Sequence, residues 1–190
     1  TIKFYNYYPS DIRIQYDKSN FLFLAHPGDF IQLEFDNNKN RKRVLHSVRF
    51  KGNGSEENIK VIKFQLIADS LWTLYDNTQT IAGKLDHVAY KSYLDSLNKI
   101  SLSLYEKFVE NEKPSTEVKN WAFYFCQENY FTNLDSYPEW HAKSSEYKDW
   151  STPNKFYEYQ KEFLPIKKEN LVCTYVFRQL VDQCWGVILY

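Results

Sequence analysis

VIKFQLIADSLWTLY, residues Val61–Tyr75, decides how the first half of this chain is read. Ile62, Phe64 and Leu66 alternate with Lys63 and Gln65, and Leu71, Thr73 and Tyr75 alternate with Trp72 and Leu74. Period two is the signature of a half-buried strand, because successive side chains on a strand point to opposite faces. Read this way, the stretch holds two short strands.

The same alternation runs upstream. Ile2 and Phe4 alternate with Lys3 and Tyr5, and Ile12, Ile14 and Tyr16 with Arg13 and Gln15. Phe21 to Ala25 is continuously apolar, as a strand buried on both faces would be. His26-Pro27-Gly28-Asp29 is a turn, in which Pro presets φ and Gly supplies a positive φ. Ile31, Leu33 and Phe35 follow on one face. Val44, His46, Val48 and Phe50 then place His46 on an apolar side. Polar runs at Asp36–Arg43 and Lys51–Asn58 separate these segments. Six or seven short strands at regular spacing predict an antiparallel β-sandwich or sheet over residues 1–82.

The period changes in residues 83–190. Leu85, Val88, Tyr90, Leu94, Leu97, Ile100, Leu104, Phe108 and Val109 recur mostly at three and four residues, and Pro114 follows. This predicts one long amphipathic helix over Leu85–Glu112. Ser115 or Thr116 can cap a second helix, whose face is Val118, Trp121, Ala122, Phe125 and Cys126. Pro138 and Pro153 sit where first helical turns begin, behind Ser136 and Thr152 as caps. Short helices are therefore expected over Pro138–Asp149 and Pro153–Phe163. Leu171–Cys184 fits both periods, and Gly186–Tyr190 reads as a terminal strand. The predicted fold is α+β: an N-terminal antiparallel β-sandwich or sheet, then a C-terminal helical layer packed on it as one compact unit.

Charge narrows the function classes. Lys and Arg number 24, as do Asp and Glu, so the net charge is zero. A generalist nucleic-acid binder carries a strong basic excess, so nucleic acid is an unfavoured partner. Neutrality suits self-association. No run reaches the roughly 18 apolar residues of a membrane span. Thr1–Ser10 lacks the charged start and apolar core of a leader, which points to the cytoplasm. Cys126, Cys173 and Cys184 are too few and scattered for a disulfide scaffold.

Five constellations bear on chemistry. Asn37–Arg43 puts Lys39, Arg41, Lys42 and Arg43 at the end of an expected hairpin, as a finger for phosphate, nucleic acid or an acidic partner. Tyr137, Trp140, Tyr147, Trp150, Phe156, Tyr157 and Tyr159 are interleaved with charge, as in surfaces that anchor a protein or stack on sugars. Cys184 in Gln183-Cys184-Trp185-Gly186 needs a base, and His26, His46, His87 and His141 are the only histidines. No His or Cys pair has metal-ligand spacing, so no metal or other cofactor is implied. Asp69, Asp76, Glu128 and Asp135, near Trp72 and Trp121, are the carboxylates a hydrolytic cleft would use, and nothing ranks one above another.

Rings make up 18% of the chain, as 16 Tyr, 14 Phe and 5 Trp. That surplus leads the functional reading, since exposed Tyr and Trp mark contact sites. The expectation is a non-enzymatic interaction protein that binds a protein, or less readily a glycan. Trp140, Tyr147 and Trp150 would form the contact, with Lys39, Arg41, Lys42 and Arg43 beside them. Two alternatives stand next to it. One is a self-assembling structural or particle component, and the other a small hydrolase with a Cys/His or paired-carboxylate site between the halves.

Overall fold

The computed structural model describes residues 9–17, 19–143 and 151–162. Among them the chain is mixed: two small antiparallel sheets near the N-terminus, then a helical part. β1 (Ser10–Tyr16) pairs with β2 (Ser19–Ala25), Ser10 opposite Ala25 and Tyr16 opposite Ser19. β3 (Ile31–Glu34) pairs with β4 (Arg49–Gly52). Gly52 is obligatory at φ +95°, because a Cβ there would stand 2.1 Å from the Phe30 carbonyl oxygen. That carbonyl instead accepts from Asn53 N at 3.0 Å, one residue beyond the end of the β3–β4 pair.

The sandwich expected over residues 1–82 is corrected here. Arg41–Ser47 is a helix (α1) rather than the start of a strand, and Ser55–Leu74 is a twenty-residue helix (α2). The alternation in Val61–Tyr75 is real, but its apolar residues divide between two faces of α2. Ile62 and Leu66, four residues apart, pack with Val44, Leu45 and Phe23. Val61, Phe64, Ala68 and Leu71 face Trp121, Phe108 and Phe125. A helix clamped between a sheet and other helices is apolar nearly all round, so its period is masked. No Pro or Gly interrupts Ser55–Leu74, and Glu56 and Glu57 favour its positive N-terminal end.

The helical layer holds α3 (Thr78–Ala82), α4 (His87–Glu112) and α5 (Thr116–Ala142). α4 matches the expected helix to within two residues, with Asp86 as its cap accepting from Val88 N and Ala89 N. Ser115 caps α5 by accepting from Val118 N, and the three-residue link Lys113–Ser115 folds α5 back along α4.

α5 then runs through Pro138, where a new helix was expected to begin. Proline removes one backbone bond and costs about 3 kcal/mol or more inside a helix. Burial on both sides of it offsets that cost. Tyr137 is fully buried and stacks on Tyr90 at 4.6 Å between centroids, and its hydroxyl donates to the Leu85 carbonyl at 3.0 Å. His141, also buried, lies 2.7 Å from the Ala82 carbonyl through Nδ1. Asn154–Glu162 forms a 3-10 helix whose Phe156 and Tyr159 seal this end of the core. The expected strand at Gly186–Tyr190 and the ambiguous Leu171–Cys184 lie outside the described residues.

One cluster binds the two halves of the sequence together. Leu22 and Leu24 from β2, four buried residues of α2, Phe108 from α4 and Trp121 from α5 share it. No described helix is long and apolar enough to cross a membrane.

Candidate functional site

Among the described residues the hairpin β1–β2 leaves one edge of β2 without a strand partner, and α2 covers that edge with two carboxamides. Leu24 N donates to Asn58 Oδ1 at 2.7 Å, and Asn58 Nδ2 donates to the Leu24 carbonyl at 2.9 Å. Gln65 repeats the pattern one strand step away, with Leu22 N to Oε1 and Nε2 to the Leu22 carbonyl, both at 2.8 Å. An amide side chain carries the same donor and acceptor as a peptide, so Asn58 and Gln65 act together as a missing strand. Both are buried. They block the edge against other chains and hold α2 at a fixed height over β2.

That placement opens a pocket beside Gln65. Its walls are Arg13, Asn20, Leu22, Arg41, Gln65, Phe125 and Glu128, and its volume is about 80 Å³. Small-molecule sites usually enclose roughly 300 Å³ or more, so this pocket fits a single small group. Arg41 enters from the first turn of α1. Its Nε donates to the Asn20 carbonyl at 2.8 Å, and its Nη1 makes an ion pair with Asp69 of α2. Burial and the nearby Arg13 both push the Arg41 guanidinium down from its ordinary range, burial more strongly.

Glu128 stands across the pocket on α5. Its carboxyl is pushed up to about 7, chiefly by burial and further by Asp11, with Arg13 opposing. The sign of the resulting pH dependence is fixed. A carboxyl whose folded pKa lies above its unfolded value near 4.5 favours the fold while protonated. The contribution falls as pH rises from about 4.5 to about 7, by up to about 3 kcal/mol. Asp135, raised to about 6 by burial, adds a loss of the same sign at lower pH. The protein is therefore expected to resist urea better at pH 5 than at pH 8, and Glu128→Gln to flatten most of that difference. A wild-type midpoint that does not fall over this interval would contradict the burial of Glu128.

The basic run sits differently from its expected position. Arg41–Arg43 opens α1, with Lys39 just ahead of its cap, and the run is not a hairpin tip, because Asn40 caps the helix by accepting from Arg43 N at 3.1 Å. Arg41 turns inward to Asp69, while Lys39, Lys42 and Arg43 stay exposed, with no carboxylate partner among the described residues. His46, one turn beyond Lys42 and Arg43, is exposed as well. Its expected apolar setting fails because helical spacing rotates it away from the buried Val44 and Leu45.

The other expected sites lie as follows. Trp140 is half-buried against the cluster of Tyr90, Tyr137 and Phe156. Tyr147 and Trp150 lie outside the described residues, as do Cys173 and Cys184. Tyr130, Tyr137, Phe156 and Tyr159 are buried, and Tyr157 is half-buried. Phe30, 72% exposed, is the most open large apolar side chain among the described residues. Cys126 is buried, its Sγ 3.6 Å from the Ser101 carbonyl, and burial pushes its thiol up to about 12, so it stays protonated and inert. Asp69 and Glu128 are brought to one region, but the Asp69 charge is held by Arg41, which leaves no free carboxylate pair there. Among the described residues no three of His, Cys, Asp and Glu converge on one point.

Arg13, Asn58 and Gln65 were not marked by any sequence pattern. A sharper signal existed for the last two: polar Asn58 and Gln65 fall seven residues apart, Asn58 just before the Val61–Leu71 apolar stripe and Gln65 within it. No known family matches the chain, and neither a curated protein nor a solved structure is similar to it.

Proposed function

We propose that this chain is a non-enzymatic interaction protein that docks an acidic segment of a protein partner on the first turn of α1. One observation carries the reading: Lys39, Lys42 and Arg43, three exposed cations within five residues, have no carboxylate partners among the described residues, in a chain of zero net charge. Most acid–base pairs elsewhere are local. Lys60 meets Glu57, Lys91 meets Asp95 and Lys143 meets Glu139. A cluster left unneutralised holds a positive potential that steers an acidic partner. The cap at Asn40 fixes the direction of the helix, so the three cations diverge from a rigid base.

Trp140 belongs to a different cluster from the one beneath α1. Docking through Trp140 would therefore be a second contact, separable from the first.

The test uses poly-L-glutamate as the acidic probe, a neutral polypeptide as control and a DNA duplex as the competing class. Poly-L-glutamate is expected to bind, to weaken steeply with salt, and to lose about tenfold or more in affinity when Lys39, Lys42 and Arg43 are all changed to Gln. Unchanged binding in the triple variant would overturn the reading. Preference for the duplex over poly-L-glutamate would overturn the partner class.

A further inference from the structure

Asn53-Gly54, the two-residue link between β4 and α2, is the one place in the chain where glycine follows asparagine. Both residues are exposed, and each is tied to a different element. Asn53 N donates to the Phe30 carbonyl at 3.0 Å, and Phe30 N donates to Asn53 Oδ1 at 3.3 Å, so Asn53 is held against the residue that precedes β3. The Gly54 carbonyl accepts from Asn58 N at 2.9 Å, which anchors it to the first turn of α2. Two groups have no partner among the described residues: the Gly54 backbone N–H and the Asn53 side-chain Nδ2. No Cβ shields the Gly54 nitrogen, and a φ of +65° keeps this position for glycine.

We propose that Asn53-Gly54 is a self-modifying site, at which the asparagine becomes aspartate and isoaspartate through a cyclic imide. The Gly54 nitrogen gives up its proton to solvent base and attacks Asn53 Cγ. A carbon–nitrogen bond forms, and the carbonyl electron pair moves onto Oδ1. The Phe30 N–H already points at that oxygen and meets the developing charge, as a donor does in an oxyanion hole. The intermediate collapses by breaking the Cγ–Nδ2 bond, and Nδ2 takes a proton from water and leaves as ammonia. A second water then opens the imide. Cleavage at Cγ restores the ordinary main chain as aspartate, whereas cleavage at the backbone carbonyl leaves isoaspartate, whose chain runs through Cβ. The net change consumes one water and releases one ammonia, with no electron transferred. Holding nucleophile and carbonyl on two anchored residues reduces the entropy that ring closure gives up.

The two products act differently on the fold. Either one adds a negative charge to a chain of zero net charge. Aspartate places that charge just ahead of α2, where the positive end of the helix favours it. Isoaspartate adds one main-chain atom between the Phe30 pairing and the Gly54 carbonyl. That carbonyl holds Asn58 N, and Asn58 is one of the two carboxamides that clamp β2. The modification therefore loosens α2 from β2 as the protein ages. It requires none of Lys39, Lys42 and Arg43, so it stands or falls apart from the docking surface.

The experiment incubates the full folded chain at pH 6 and at pH 8. It follows the acidic form by isoelectric focusing, ammonia release, and methyl transfer from S-adenosylmethionine by an isoaspartyl methyltransferase, with peptide mapping by mass spectrometry to locate the change. An acidic form is expected to accumulate with matching ammonia, and to map to Asn53 before any other asparagine. Its rate should be about tenfold or more higher at pH 8 than at pH 6, since the attacking nitrogen must first lose its proton. Asn53→Gln keeps an amide but lengthens the ring that would have to close, so it should yield no acidic form and no methyl acceptor at this position. Asn53→Asp should focus with the aged protein from the outset and keep the wild-type urea midpoint, while the isoaspartyl fraction unfolds at lower urea. An intact Asn53 after the urea-unfolded chain has been fully converted, or an acidic form that appears equally in Asn53→Gln, would overturn the proposal. An isoaspartyl fraction as stable as Asn53→Asp would overturn its link to the Asn58 clamp.

Discussion

Gln65→Met and Asn58→Leu are each expected to lower stability by about 3–5 kcal/mol, although neither changes side-chain size much. The reason is what stays behind. Each substitution strips partners from one N–H and one carbonyl of β2, at Leu22 or Leu24, and both strand residues are buried. A buried backbone group left without a partner costs about 1–3 kcal/mol, and two are orphaned at once. The added apolar surface of Met or Leu returns part of that, but the new side chain still faces polar backbone. For a chain of this size the loss corresponds to roughly 10 °C in melting temperature.

The pair should also be non-additive. Once one carboxamide is gone, α2 is free to shift along β2, and the second amide is held less well. A double-mutant cycle by urea unfolding is expected to show a coupling of about 1 kcal/mol or more, as for residues in one hydrogen-bonded network. Two losses that sum simply, each below about 1 kcal/mol, would mean that the amides ornament the edge and do not hold it.

These two residues also explain why the first half was misread. β1, β2 and β3 were legible, since their alternation or continuous apolarity had no competing period. Ser55–Leu74 was not, because its buried stripe contains Asn58 and Gln65. A pattern search scores both as polar and solvent-facing, and what remains, Ile62, Phe64 and Leu66 between Lys63 and Gln65, has strand period. Their burial depends on an edge supplied by residues some 40 positions away, which no local window contains. α4 was legible to within two residues, because one face of it is solvated and the period stands out. Pro138 misled for a related reason: a local rule about proline was outweighed by the stacking of Tyr137 on Tyr90.

The candidate site was legible in part. The cations Lys39 to Arg43 stood out as composition, and Glu128 and Asp69 were among four carboxylates of equal standing. That Arg41 leaves its neighbours to meet Asp69, and that Glu128 faces it across a pocket, follows from helical phase in α1, α2 and α5 together. Two of those helices were read as strands, so the convergence was out of reach.

The surplus of rings has its own test. Trp121→Ala is expected to cost about 4 kcal/mol, among the largest losses available to a single substitution in this chain. Trp121 is fully buried at the junction of β1, α2 and α5. Its ring lies 5.9 Å from Phe64, nearly edge-on, and 5.2 Å from Phe125, while Phe64 stands 4.8 Å from Phe108. Four aromatic side chains from three helices thus meet at one point. Deleting the indole leaves a cavity that rigid helices cannot close, and Trp-to-Ala changes in such settings cost about 3–5 kcal/mol. The indole N–H also donates to the buried Asp11 carboxylate at 3.3 Å, so the change removes a donor from a buried charge. Trp121→Phe keeps most of the ring contacts and loses only that donor, so it should cost less than half as much. The separation between the two variants, measured by denaturant unfolding, divides packing from the Asp11 bond. Equal losses would place the energy in the hydrogen bond. A near-neutral Trp121→Ala would mean that this aromatic cluster does not hold α2 against α5. If the expected order is found, this part of the ring surplus is accounted for by the interior, where, among the described residues, two small two-stranded sheets leave three long helices to be packed mainly by side-chain volume.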